Sequence, residues 1–383
     1  MSNSKTGLKI ALDASRNRSG GAKAHLLGIL GAVDPTEFGV AEVHVWSYRE
    51  LLDALPDAPW LFKHCPAELD GSILRQLWWQ RFNFRSELLR LGIDVLLSTD
   101  AGTVCRFLPS VVMSRDMLSF EGQEMQRYSL ISASRLRLWL LKYVQVSSLK
   151  NATGALFLTR YAAKVIQKYS GELQNIRVIP HGIGRNFIAD NSGKQSVGPL
   201  LRCVYVSNAD LYKHQWHVIE AVKMLRQDGH SLILELVGAG SGPASDMVTA
   251  AIARHDPDGS FVHVTPAVPH HRIPTYLADA DVFIFASSCE NMPNTLVEAM
   301  AAGVPIACSN RGPMPEILQD AGVYFDPESP EQIAHALSEL IVDSHRRREL
   351  GMRAKTLSEQ YSWERCAGET WRFLGSVGCA SEL

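Results

Sequence analysis

Residues 281–305 read DVFIFASSCENMPNTLVEAMAAGVP. Val282 to Phe285 form an unbroken apolar run, the pattern of a strand covered on both faces of a parallel sheet. A polar loop follows, then a helix from near Asn294, then a new strand from Pro305. Glu290 falls in the loop at the carboxyl end of the strand, and Glu298 falls eight positions later, in the first turn of the helix. Open α/β sheets bind their ligands at this end of the strands. A loop feeding a helix N-terminus also offers free N–H groups and a favourable dipole to a phosphate. Two carboxylates flanking such a loop can grip hydroxyls on either side of a diphosphate, one on the nucleotide ribose and the other on a sugar. A plainer alternative exists for each acid taken alone. Thr295-x-x-Glu298 also fits a capping box, and Glu290 by itself is an ordinary loop acid. The pair in one loop favours function.

Outward from this segment the same alternation fills most of the 383 residues. Apolar strands are expected at 8–14, 42–46, 94–97, 111–113, 155–158 and 177–179, and after a break at 201–206, 231–237, 261–264, 282–285, 305–308 and 322–325, with helices between many of them. Residues 189–199, ADNSGKQSVGP, have linker composition. A single core rarely grows beyond ~250–300 residues, so two βα domains are expected, at 1–187 and 200–358. Residues 344–374 are helical by periodicity, with Ser362 expected to cap a last helix. The net charge of −2 gives no reason to expect nucleic-acid binding. Seven cysteines without a Cys-x-x-Cys pair fit reduced thiols of a cytoplasmic protein. No apolar run is long enough to span a membrane.

Glu-x7-Glu followed by Ala299-Met-Ala-x-Gly303-x-Pro305 resembles the signature of family 4 glycosyltransferases, the "group 1" transferases. The resemblance extends over nearly the whole chain. It implies the α/β GT-B fold: two Rossmann-like domains facing across a cleft, with the C-terminal helix, about 362–383, packing back on the first. It implies that Glu290 contacts the transferred sugar and Glu298 the ribose, with Asn294 and Thr295 beside them. Where family members carry Gly and Pro in this loop, the chain has Pro293 and Thr295. Lys213 matches the lysine that neutralises the donor diphosphate, while the family's Gly-Arg is replaced by Ser207-Asn208. A Lys at a helix N-terminus opposes the dipole, which itself suggests recruitment for an anion. Gly238, in the Gly-rich turn after the next strand, is similar to a family donor loop, though such a turn alone is weak evidence.

In the first domain, Gly20 and Gly21 resemble a family Gly-Gly loop facing the donor phosphates, with His25 close behind. Arg115-Asp116 stands where many members have His-Asp. Asp116 is expected to orient the acceptor hydroxyl or take its proton, and Arg115 to bind phosphate. His181 has no partner spaced for a metal, and a hinge or core role is expected of it. The resemblance implies a retaining hexosyltransferase with no metal and no cofactor. Its donor would be a GDP- or UDP-sugar, of the GDP-mannose type, and its acceptor a glycan or lipid-linked saccharide of bacterial surface polysaccharide. Two stretches, 74–85 and 135–143, mix Trp, Leu and Phe with Arg and Lys. They raise the expectation of peripheral contact with the inner face of the membrane, against the alternative of packed helices with solvated cations. Rival functions are a nucleotide-sugar epimerase and a catalytically degenerate nucleotide-sugar-binding partner subunit. A nicotinamide dehydrogenase is disfavoured, because the first loop lacks Gly-x-Gly-x-x-Gly and no acid ends the second strand.

Overall fold

The computed structural model describes residues 7–18, 20–129, 132–188, 200–238 and 240–380. The expected linker at 189–199 lies outside them, as do Ser19 and Ala239 of the two glycine loops. Two compact units are present, residues 1–182 with 362–383, and residues 183–361.

The first unit holds β1 (Leu8–Asp13), β2 (Val40–Trp46), β3 (Leu61–His64), β4 (Val95–Ser98), β5 (Ser110–Met113), β6 (Gly154–Phe157) and β7 (Ile176–Val178), in the order β3-β2-β1-β4-β5-β6-β7. The second holds β8 (Leu201–Val206), β9 (Leu232–Val237), β10 (Val262–Thr265), β11 (Val282–Phe285), β12 (Ile306–Ser309) and β13 (Val323–Phe325), in the order β10-β9-β8-β11-β12-β13. All neighbouring pairs are parallel. The central strands are apolar on both faces, as helices on either side require: Ile10, Ala11 and Leu12 in β1 and all of β11 are buried. Both sheets reverse their strand order beside the first strand of the unit, between β1 and β4 and between β8 and β11. That is where a doubly wound sheet opens a crevice for ligand at the carboxyl ends of its strands.

The strand β3 and the Thr295 capping box differ from the sequence reading. β3 was not foreseen; its sequence LFKH carries an exposed Phe62 and a Lys, the irregular pattern of an edge strand. The expected last helix of the 344–374 stretch is present: Ser344–Ser358 is followed by Trp363–Cys379, the latter capped by Ser362 Oγ accepting from the Arg365 amide. The capping box at Thr295 does not form: the Asn294–Ala301 helix starts one residue after Pro293, with no side-chain cap.

The Trp363–Cys379 helix belongs to the first unit. Gly28 and Gly182 give Trp363 its seat. A Cβ on Gly28 would lie 2.2 Å from the indole, and one on Gly182 2.2 Å from the Trp363 amide nitrogen.

Candidate active site

At the switch point of the second unit, the loops after β8 and β11 bring Lys213 and Glu290 together. Lys213 ends a single 3-10 turn, Leu211–Lys213, ahead of the Gln215–Gln227 helix. His214 between them sits at φ +50°, which turns the chain sharply. The turn is anchored on both sides: Tyr205 Oη donates to the Lys213 carbonyl at 2.7 Å, and the Ser288 amide donates to the Tyr212 carbonyl at 2.8 Å. His214 Nε2 lies 2.9 Å from Ser288 Oγ. So positioned, Lys213 Nζ makes an ion pair with Glu290 Oε1, with 10% and 16% of the two side chains exposed. Lys213, expected from the sequence to meet a diphosphate, therefore has an internal counter-ion. Burial pushes the Tyr205 and Tyr212 phenols up, and the Glu290 carboxylate adds to both shifts.

Glu298 lies inward on the Asn294–Ala301 helix, nearly buried. Its Oε1 accepts a hydrogen bond of 2.7 Å from His270 Nε2, and its Oε2 is buried without a hydrogen-bond partner among the described residues. His270 is braced by the Phe187 ring, 5.1 Å away between centroids. The Glu298 carboxylate raises the His270 pKa, against a smaller opposing effect of burial. An unmatched buried carboxylate oxygen costs free energy, and a hydroxyl donor from a ligand would satisfy it. Sequence reasoning missed His270; the signal was the basic run His270-His271-Arg272 after β10.

Asn294 and Thr295 are half-buried in the first turn of the same helix. Asn208 is exposed, and its amide donates to Asp210. Gly238 has φ +116°, and a Cβ there would lie 2.5 Å from the Ser207 carbonyl oxygen. Its glycine character is thus fixed by close approach of the chain after β9 to the chain after β8.

The first unit's switch point is a buried polar network. Asp13 accepts from Ser15 Oγ (2.6 Å) and Gln80 Nε2 (2.7 Å). Thr99 Oγ1 donates to the Asp13 carbonyl or to Asn17 Oδ1, both at 2.8 Å. Burial raises the Asp13 pKa, against hydrogen bonds from Ser15. Arg115 is committed here: Nη2 donates to Asn17 Oδ1 at 3.0 Å and lies 3.6 Å from Asp100. Burial lowers its pKa and Asp100 opposes that. Arg115, expected to bind phosphate, is thus held against Asn17 and Asp100. Asp116 accepts from the Leu118 amide (3.1 Å), Ser119 Oγ (3.2 Å) and Gln145 Nε2 (3.4 Å), so its carboxylate is held within its own loop and helix. Burial raises its pKa.

His25 is fully buried, its ring 4.7 Å from His181 and 6.1 Å from Trp363 between centroids. Neither ring nitrogen has a hydrogen-bond partner among the described residues, and burial lowers its pKa well below the usual range. His25 is interior rather than placed to meet phosphate or acceptor. Gly20 opens the Gly20–Gly31 helix at an exposed position, with Gly21 half-buried behind it; nothing lies within 4 Å of a Cβ placed on Gly20.

Two doubly wound parallel sheets, each with polar groups gathered at its switch point, define an α/β protein of the GT-B class. Solved structures agree on the fold. A sucrose-phosphate synthase from Thermosynechococcus elongatus superposes with a TM-score of 0.77 at 17% identity, covering 97% of this chain and 100% of its own. The HepE protein of Anabaena, in complex with UDP-glucose, gives 0.71 at 17% identity over 96% and 100%. Residues 194–357 match the family model described as glycosyl transferases group 1. The relatives include O-antigen chain mannosyltransferase B of Escherichia coli, 28% identical over 168 residues, 44% of each chain. A GDP-mannose-dependent alpha-(1-6)-phosphatidylinositol monomannoside mannosyltransferase of Mycobacterium tuberculosis is 26% identical over 239 residues, 57% of this chain and 60% of that one. The chain spans about half the length of the curated relatives it matches.

Proposed function

We propose that this protein is a glycosyltransferase. It would move a hexose from a GDP- or UDP-sugar to a glycan or lipid-linked saccharide of bacterial surface polysaccharide, with retention of anomeric configuration and no metal. The observation that carries the reading is Glu298: one oxygen fixed by His270, the other buried and unmatched at the switch-point end of the sheet. A ribose hydroxyl donating to Oε2 satisfies it. The names of the relatives support transfer of mannose from GDP-mannose, and the UDP-glucose complex of the HepE protein supports a nucleotide-sugar donor for the fold.

In this reading the donor diphosphate draws Lys213 Nζ from Glu290, and Glu290 turns to a hydroxyl of the sugar. The bond from the anomeric carbon to the diphosphate oxygen breaks, with the departing charge met by Lys213 and the N-terminal end of the Asn294–Ala301 helix. The acceptor oxygen bonds to the anomeric carbon from the same face, and its proton passes to the leaving phosphate. Acceptors presented at a membrane surface fit this role. The test is incubation with GDP-mannose, UDP-glucose and related donors, following nucleoside diphosphate release and the anomeric configuration of the product by NMR. Release with a retained product is expected. A product of inverted configuration, or no release from any donor, would overturn the proposal.

A further inference from the structure

The helices Ile73–Phe82 and Ala133–Asn151 of the first unit contain no Asp or Glu. Their cations are Arg75 and Arg81 on one and Arg135, Arg137, Lys142 and Lys150 on the other. Each helix also exposes an apolar stripe. Leu74, Trp78 and Phe82 recur every four residues on the first, and Leu136, Leu140 and Tyr143 share a face of the second. All six are at least half exposed. Water-facing helix surfaces are normally polar, and contiguous exposed apolar patches mark interaction sites.

Between the two helices lies a cavity of about 530 Å³, within the ~300–1,000 Å³ typical of ligand sites. Leu96, Val104, Cys105, Phe107, Val112 and Val144 form most of its wall, with five serine and threonine side chains and Asn151 among them. The exposed Trp78, Phe82 and Tyr143 also line it, so the cavity opens between the two stripes. Arg81 and Arg106 are the charged residues among the described lining, and the Arg81 guanidinium lies 5.4 Å from the centre of the Phe82 ring. A mainly apolar interior, an aromatic rim and a cationic margin without carboxylates among the described lining residues complement one molecular class: an anionic lipid in a bilayer.

We propose that this face docks the protein on an anionic phospholipid surface, with Trp78, Phe82 and Tyr143 in the headgroup layer and one acyl chain drawn into the cavity. Arg81 and Arg106 take the lipid phosphate. No helix among the described residues is long and apolar enough to cross a membrane; the docking proposed here is peripheral. The inference goes beyond the transferase reading by naming the lipid class and its seat, and it does not depend on donor chemistry.

The test is flotation of the full chain with vesicles of phosphatidylcholine containing phosphatidylglycerol, against phosphatidylcholine alone. Each Lys or Arg near an anionic surface contributes about 1 kcal/mol, so Arg81→Gln with Arg106→Gln should weaken binding by roughly 30-fold. Trp78→Ser with Phe82→Ser should weaken it comparably; all four sites are exposed, and an unchanged melting temperature checks the fold. Chain entry is read separately. Phosphatidylglycerol with a brominated acyl chain should quench tryptophan fluorescence in wild type, with much of that quenching lost in Trp78→Phe and in the cavity-filling Ser147→Phe. Soluble glycerophosphoglycerol should not compete; competition would assign the site to a free phosphate ester and overturn the lipid proposal. Equal binding to both vesicle types, no binding, or binding unchanged in folded variants would overturn it as well. Nucleoside diphosphate binding, measured on the same variants, reports on the donor site independently.

Discussion

Replacing Lys213 by methionine removes the ammonium while keeping most of the apolar stem. Glu290 then has lost its counter-ion at a site where only 16% of its side chain is exposed. Two unit charges ~4 Å apart interact by about 4 kcal/mol at an effective dielectric constant near 20. Breaking a buried pair by deleting one partner costs about 3–5 kcal/mol. Here water reaches part of both groups, so about 2–3 kcal/mol is the expected loss. Domains of this size shift by about 2–4 °C per kcal/mol, so the melting transition of the second unit should fall by about 5–10 °C. Glu290→Met should cost a similar amount, and the double variant should recover about 1.5–2.5 kcal/mol of the summed losses. Calorimetry of the four proteins closes the cycle. If the single losses add to within about 0.5 kcal/mol, the two groups are independent and the reasoning from their pairing fails.

Two further predictions concern the surrounding frame. His270 has its pKa raised by Glu298, so the pair contributes stability that is fully present below the unfolded value of about 6.5 and is lost as pH rises through the higher folded value. The melting difference between wild type and His270→Gln should therefore be largest near pH 6 and fade in alkaline solution; because His270 is mostly exposed, it should not exceed a few degrees. A difference that grows with pH would refute the assignment. Gly238→Ala forces a side chain onto φ +116° and places its Cβ 2.5 Å from the Ser207 carbonyl oxygen; a loss of at least about 2 kcal/mol is expected in denaturant titration, and a neutral result would contradict the close approach.

The fold was legible wherever strands are buried on both faces, because Ile10–Leu12 of β1, Cys203–Val206 of β8 and all of β11 then read as apolar runs. It was illegible at β3, where an edge position relaxes the pattern. Glu290 and Glu298 were legible because one loop and one helix carry both. Lys213 was singled out too, but its pairing with Glu290 was not, and His270 was missed: they come from the segments after β8 and β10, and contacts across a sheet leave no spacing rule. The contact of Arg115 with Asn17 was hidden for the same reason: the two are 98 residues apart. His25 could have been recovered from sequence, because it shares the buried stripe of Ala22, Leu26 and Ile29 on its helix.

The most direct test of the central claim is thermal stabilisation by UDP, GDP, ADP, dTDP and NAD, each at saturation, in wild type and Glu298→Ala. A ligand that binds only the native state adds about 2.7 kcal/mol at a hundredfold excess over its Kd. One nucleoside diphosphate is predicted to stabilise wild type by several degrees and to lose that effect in Glu298→Ala. Stabilisation by NAD alone, by none of the five, or equally in both proteins would contradict the account.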